Sequence, residues 1–311
     1  MRRVAGWLDA SPHPLVACEI AAGYVAAARW TRTGMGLDGF AIEPLSPGAI
    51  VHTAVETNLV NNAEVRAAVG RVFSRLRARN EDVALFVPDS VIRIFVLHFD
   101  EFPRKADEAI PMLRWRLKKS VPFEAEETRI SYMRQSSREP GVDVVTGLAR
   151  LPIIREYESL MESAGMSPGV VMSSTLASMP LLPDERSALL ARVAGTTLTT
   201  AIVRDGQLCG YRCTDLPDDA QSVTPQALLD EIYPLAAYYQ DSWSEGIAEV
   251  RLAGLFDRAA EFIRPLEREL KCPVGSLLTA ADREGRIRSD ERPLMDRGLD
   301  ALIGWTLNRG A

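Results

Sequence analysis

The chain has 311 residues, 47% of them apolar and 25% charged, with a net charge of −6. That length suggests about two domains and is ample to bury a core. The acidic balance argues against nucleic acid as a main partner, because phosphate binding wants a basic face, and leaves room only for a local basic patch.

Four cysteines, Cys18, Cys209, Cys213 and Cys272, form no C-x-x-C pair and have no histidine spaced to complete a metal set, so they read as reduced thiols. The first residues, MRRVAGWLD, hold two arginines but no apolar run long enough for a signal peptide, and no segment approaches the ~20 apolar residues of a membrane span. A soluble chain that reaches a membrane only through a partner is expected.

The first element is a strand, small-residue turn and strand, LVACEIAAGYVAAA at 15–28. Residues 36–44 read as a third strand, 62–77 as an amphipathic helix with Val65, Val69, Val72, Phe73 and Leu76 on one face, and 82–88 as a buried strand. A strand at 91–99 then opens a different unit. It continues through a helix at 104–120, strands at 129–134 and 142–149 around a polar turn, and a helix at 151–165. Pro111 either kinks the first of these helices or sits in its first turn, with the helix starting near Glu108. A strand at 169–172 and a helix at 175–182 follow. A second hairpin, LLARVAGTTLTTAIV at 189–203, repeats the design of the first and runs on through a strong Asp205-Gly206 turn signal. Helices at 224–242, 258–270 and 299–307 and a strand at 248–254 complete the chain, with Thr224 as a cap, Pro225 in the first turn and Pro234 expected to kink the first of the three.

Two hairpins of this kind, one heading each half, are what a duplicated α/β nucleotide-binding fold needs at its two phosphate loops. The divisions expected are a first domain at 1–90, an inserted β-α-β-β-α subdomain at 91–167, a return of the first domain at 168–186, a second domain at 187–298, and a C-terminal helix at 299–311 packing on the first domain. The run Arg114, Arg116, Lys118 and Lys119 reads as a solvated helix face beside Glu124, Glu126 and Glu127, attraction of an acidic partner being the alternative. His13, His52 and His98 are isolated, and His98 reads as structural. The threonines at 196, 197, 199 and 200 could line a phosphate pocket, although β-branched residues are also good strand formers. No G-x-S-x-G elbow, P-loop or H-E-x-x-H occurs, and no catalytic set is found.

Four segments carry a resemblance: FVPDSVIR (86–93), LRWRLKKSVPFE (113–124), LLDEIYPLAAYY (228–239) and LDALIGWTL (299–307). In this order and spacing the chain resembles the PilM family, actin-like cytoplasmic proteins of type IV pilus assembly, and more distantly the cell-division protein FtsA. The resemblance implies an actin-like (ribonuclease H-like) duplicated α/β fold with a small α+β insertion. It implies a non-enzymatic scaffold, cytoplasmic and peripheral at the inner membrane, that captures the short N-terminal tail of a PilN-like membrane protein in a groove beside the insertion. Other pilus or secretion-platform proteins and a homo-oligomer are further implied partners. An ATPase or small-molecule kinase on the same fold, and the GspL-type cytoplasmic module of type II secretion, are the alternatives.

The loops depart from the family. Where relatives have Asp-Ile-Gly-Ser-Ser and a later lysine, this chain has Glu19-Ile20-Ala21-Ala22-Gly23 and Ala26. The second Asp-Ile-Gly aligns with Val193-Ala194-Gly195, and the adenosine-side glycines with Ala253-Gly254-Leu255-Phe256. A vestigial nucleotide site is therefore expected at Glu19, Ala21, Gly23, Gly195, Thr196, Thr197 and Gly254. Glu19 could still serve magnesium while Val193 cannot, and Leu255 and Phe256 place bulk where a nucleotide needs backbone. Three lost contacts at ~1–3 kcal/mol each would cut affinity roughly a thousandfold or more, so no cofactor is expected and ATP with magnesium would bind weakly.

Overall fold

In a computed structural model of the chain, which describes residues 13–32, 36–137 and 139–307, three β-sheets organise the backbone. The first half forms β1 (Val16–Ala21), β2 (Tyr24–Trp30) and β3 (Leu37–Pro44), then helix α1 (Asn62–Leu76) and β4 (Asp82–Val87). Helix α1 starts where the Asn61 side chain accepts the Glu64 N–H at 3.3 Å, and it buries the five apolar residues of its predicted stripe.

The inserted unit comprises β5 (Arg93–Phe99), α2 (Ala106–Leu117), β6 (Thr128–Ser136), β7 (Val142–Arg150) and α3 (Leu151–Ser163). Its strands make an antiparallel sheet in the order β5-β7-β6, covered by Ala109, Leu113 and Leu117 of α2. Helix α2 runs unbroken through Pro111 from Ala106, so the start near Glu108 is not what forms. Helix α3 turns its apolar face, with Ile153, Tyr157 and Leu160, into the core of the first domain, against α1 and β8 (Ser167–Ser173). It is the crossover that lets β8 join β4 in parallel.

After β8 come the short α4 (Ser174–Ser178), then β9 (Ala188–Ala194), β10 (Thr197–Arg204), β11 (Gln207–Asp215) and α5 (Pro225–Trp243), the last continuous through Pro234. The chain continues with β12 (Glu249–Ala253), α6 (Ala259–Leu270), β13 (Val274–Ser276), α7 (Leu277–Arg283), α8 (Arg292–Met295) and α9 (Asp300–Leu307). The two large sheets have the same plan. One runs β3-β2-β1-β4-β8 and the other β11-β10-β9-β12-β13, each with an antiparallel meander on one side and parallel partners on the other. The strand β13 and the helices α7 and α8 have no counterpart in the sequence expectation.

One apolar cluster spans both halves, joining β1, β2, β4 and α1 to Leu190, Ala201 and Val203 of the second sheet and to α9. Helix α9 lies against α4 at close range: a Cβ on Gly304 would come within 2.2 Å of the Ala177 carbonyl oxygen. Trp305, fully buried, donates from its indole to the Pro14 carbonyl at 3.2 Å and packs beside Phe86.

Candidate functional site

The two hairpin turns face one another across a cleft of about 290 Å³. Glu19, Ala21, Gly23, Gly195, Thr197 and Gly254 all line it, whereas Thr196 sits exposed at its turn and does not. Gly195 has φ +61 and Gly254 φ +77, and a Cβ on Gly254 would fall 1.8 Å from the Val193 carbonyl oxygen, so that position admits only glycine. Gly23 needs no such freedom, and a Cβ there would meet nothing. Leu255 does not obstruct the cleft as expected. It is buried in the second domain's core, and of the pair only Phe256, exposed with φ +49, reaches the cleft wall.

The strand register corrects the alignment of the second loop. Ala21 pairs with Tyr24 to close the first turn, and Ala194 pairs with Thr197 to close the second. Two residues back along each strand stand Glu19 and Arg192. The structural counterpart of the first loop's acid is therefore Arg192, not Val193, whose side chain packs in the second domain's core.

Arg192 is 6% exposed and gathers three carboxyl groups. Its Nη2 donates to Glu19 Oε1 at 2.8 Å and its Nε to Asp300 Oδ2 at 2.8 Å, while Nη1 lies 3.8 Å from Asp89 Oδ2. Glu19 comes from the first domain's hairpin, Asp89 from the turn Asp89–Val91 after β4, Asp300 from the start of α9. One guanidinium thus ties together the first domain, the second domain and the C-terminal helix. Asp89 also accepts from the Thr175 N–H (2.9 Å), the Thr175 hydroxyl (2.6 Å), the Thr199 hydroxyl (3.0 Å) and the Tyr211 hydroxyl (3.2 Å). The other Glu19 oxygen accepts from the Tyr24 hydroxyl at 3.2 Å.

Burial raises the Glu19 carboxyl above the usual carboxylate range, with the Arg192 guanidinium opposing the rise. Burial by itself would lower Arg192, but Asp300, Glu19 and Asp89 together outweigh it and hold the guanidinium well above its ordinary value. Among the described residues these acids form no group suited to hold a metal ion. His52, on the cleft wall, has Nδ1 2.9 Å from the Ser90 hydroxyl, and burial lowers its pKa.

Arg192, Asp89 and Asp300 were not among the expected site residues. An arginine inside an otherwise apolar strand, and aspartates inside two of the four resembling segments, were the available signals. Thr199 is more than a strand former, because its hydroxyl serves Asp89.

A second concavity, of about 660 Å³, runs between the inserted sheet and the first domain. Its walls are β6 and β8, each the edge strand of its sheet. Met133, Val170, Val171 and Met172 give it an apolar floor, and Arg129, Arg134 and Glu158 supply charge.

No protein-family model matches the chain, and no curated protein matches it in sequence. Solved structures do. The chain is similar to a chain of a PilM–PilN type IV pilus biogenesis complex, at TM-score 0.71 and 16% identity over 96% of this chain and 99% of that one. It is also similar to a Bacteroides thetaiotaomicron protein with an actin-like ATPase fold, at TM-score 0.52 and 12% identity over 85% and 91% of the two chains. The fold is actin-like. In its whole course it is PilM-like, and at these identities the likeness carries the fold alone. No described helix is long and apolar enough to cross a membrane.

Proposed function

We propose that the chain is a cytoplasmic scaffold of an inner-membrane assembly platform, of the type IV pilus or type II-like secretion kind. It holds the extended tail of a PilN-like membrane protein and needs no nucleotide to do so. The groove between β6 and β8 carries this reading. An edge strand presents unpaired N–H and C=O groups, and an extended peptide can add to such an edge while alternate side chains enter apolar pockets. Two edges facing one groove, over an apolar floor with arginines at the side, suit a short peptide with aliphatic anchors. The likeness to the PilM–PilN structure supports the choice of partner.

The cleft supports nucleotide independence. In place of a metal-binding acid pair stand an acid and a guanidinium already bonded to each other. Three carboxyl groups share the one guanidinium, and among the described residues lining the cleft there is no further arginine or lysine to receive phosphates. An enzymatic reading, as an ATPase or small-molecule kinase, draws on Asp89, which does lie beside the loops. Its oxygens already take four hydrogen bonds, so a base role would require breaking them. A GspL-like module would share the fold, and the identity of the tail that binds separates it from the pilus reading.

The test is fluorescence anisotropy with a synthetic peptide of the cytosolic tail of a PilN-like protein from the same organism. Saturable binding is expected, weakened about tenfold or more by Met133→Glu, which buries a charge on the groove floor. No binding to the unaltered chain overturns the proposal.

A further inference from the structure

Helix α2 presents an unusual outer face. Trp115 is 78% exposed, the most exposed of the large apolar side chains described. Four cations, Arg114, Arg116, Lys118 and Lys119, fall within six consecutive positions around it, and no carboxylate interrupts them. The last three of the four are exposed. Of the nearby acids, Glu127 is drawn away to Arg150 at 3.3 Å, while Glu126, 3.8 Å from Lys118, faces only that one cation among the described residues and leaves Arg116 and Lys119 to the outer face. The buried face of the helix, Ala109, Leu113 and Leu117, is fully used against the inserted sheet, so Trp115 is not needed for folding.

We propose that this face is a contact for an anionic membrane surface. An indole with an apolar body and a polar N–H is most stable at the headgroup level, and clustered Lys and Arg next to it attract anionic lipid. A bilayer offers both requirements in one plane: negative headgroups for the exposed cations and an apolar layer beneath for the indole. An acidic protein surface supplies only the first without a dedicated pocket. The chain as a whole is acidic, so the patch also fixes which side turns to the membrane. The same subdomain carries the β6 wall of the groove, which would bring that groove close to the lipid. The contact itself does not depend on tail binding.

Cosedimentation of the full chain with protein-free vesicles tests it. Vesicles containing about one-third phosphatidylglycerol should bind the chain at low salt and release it at high salt, and pure phosphatidylcholine vesicles should not bind it. Each cation removed should weaken binding about fivefold, so Arg116→Gln with Lys119→Gln should weaken it roughly 25-fold. Trp115→Ala should weaken it several-fold, with the circular dichroism spectrum of every variant unchanged. Equal binding to both vesicle types, no binding to either, or variants that bind as well as the unaltered chain would overturn the proposal. A cross-link from position 115 to a protein, with vesicles unbound, would assign the patch to an acidic protein surface and equally overturn it.

Discussion

Replacing Arg192 by methionine keeps an unbranched apolar stem but removes the cation, with its guanidinium, from a buried cluster. Glu19, Asp89 and Asp300 are each at most 3% exposed, so none can recover by turning to water. Two charge-assisted bonds of 2.8 Å disappear, at about 1.5–3 kcal/mol each. That sum agrees with the about 3–5 kcal/mol typical of breaking a buried pair and leaving a charge behind. Against a total stability of about 5–15 kcal/mol, the loss is a large fraction. Urea unfolding followed by tryptophan fluorescence reads it, since Trp305 sits in the helix that Asp300 begins.

The pH dependence has a defined sign. Burial already raises the Glu19 carboxyl, and without the guanidinium that opposes the rise it goes higher still. A carboxyl with a raised folded pKa binds its proton more tightly folded than unfolded. Its contribution is therefore fully present below the unfolded value of about 4.3 and is lost as pH rises through the folded value. The deficit of Arg192→Met should thus be greatest at neutral pH and shrink on acidification. Adding Glu19→Gln should recover part of it, with a coupling of about 1–3 kcal/mol. A loss below about 1 kcal/mol at neutral pH, or no coupling to Glu19, would contradict this role for Arg192.

Three further outcomes are expected. Gly304→Ala should cost about 1–3 kcal/mol, because the new methyl meets the Ala177 carbonyl and α9 must move; the melting temperature and Trp305 emission check this. Asn58→Ala should cost about 2–4 kcal/mol and raise amide exchange across residues 50–61, since the buried amide receives the Thr53 N–H and donates to the Thr53 and Glu56 carbonyls. His98 should titrate above the ordinary imidazole value in NMR spectra, through its 2.8 Å bond to Asp143, and Asp143→Asn should bring it down. Its raised pKa means that any stabilisation is fully present below about 6.5 and fades as pH rises through the folded value.

The duplication was legible because both hairpins carry apolar strands around small-residue turns, a local pattern that burial on both faces of a central strand imposes. The helices were legible from their periodicity, as the stripe of α1 illustrates. The charge cluster was not, because a salt bridge joins residues brought together only by topology: Arg192 and Glu19 lie on different sheets, and Asp300 near the end of the chain. Aligning the second loop on Gly195 shifted it by one residue, and a one-residue slip in a strand exchanges its two faces. That is why Val193 stood where Arg192 belongs. The same logic hid Leu255, whose apolar side chain found the core, and β13, which is three residues long and contains a glycine.

In the cleft between the two turns, a buried guanidinium is already bonded to Glu19 and Asp300, and a chain built this way is expected to bind nucleotide weakly. Calorimetric titration of magnesium–ATP into the purified chain measures that. A dissociation constant of about 1 mM or weaker, or no detectable heat, is the predicted result, given roughly a thousandfold loss from three missing contacts. A micromolar dissociation constant contradicts it.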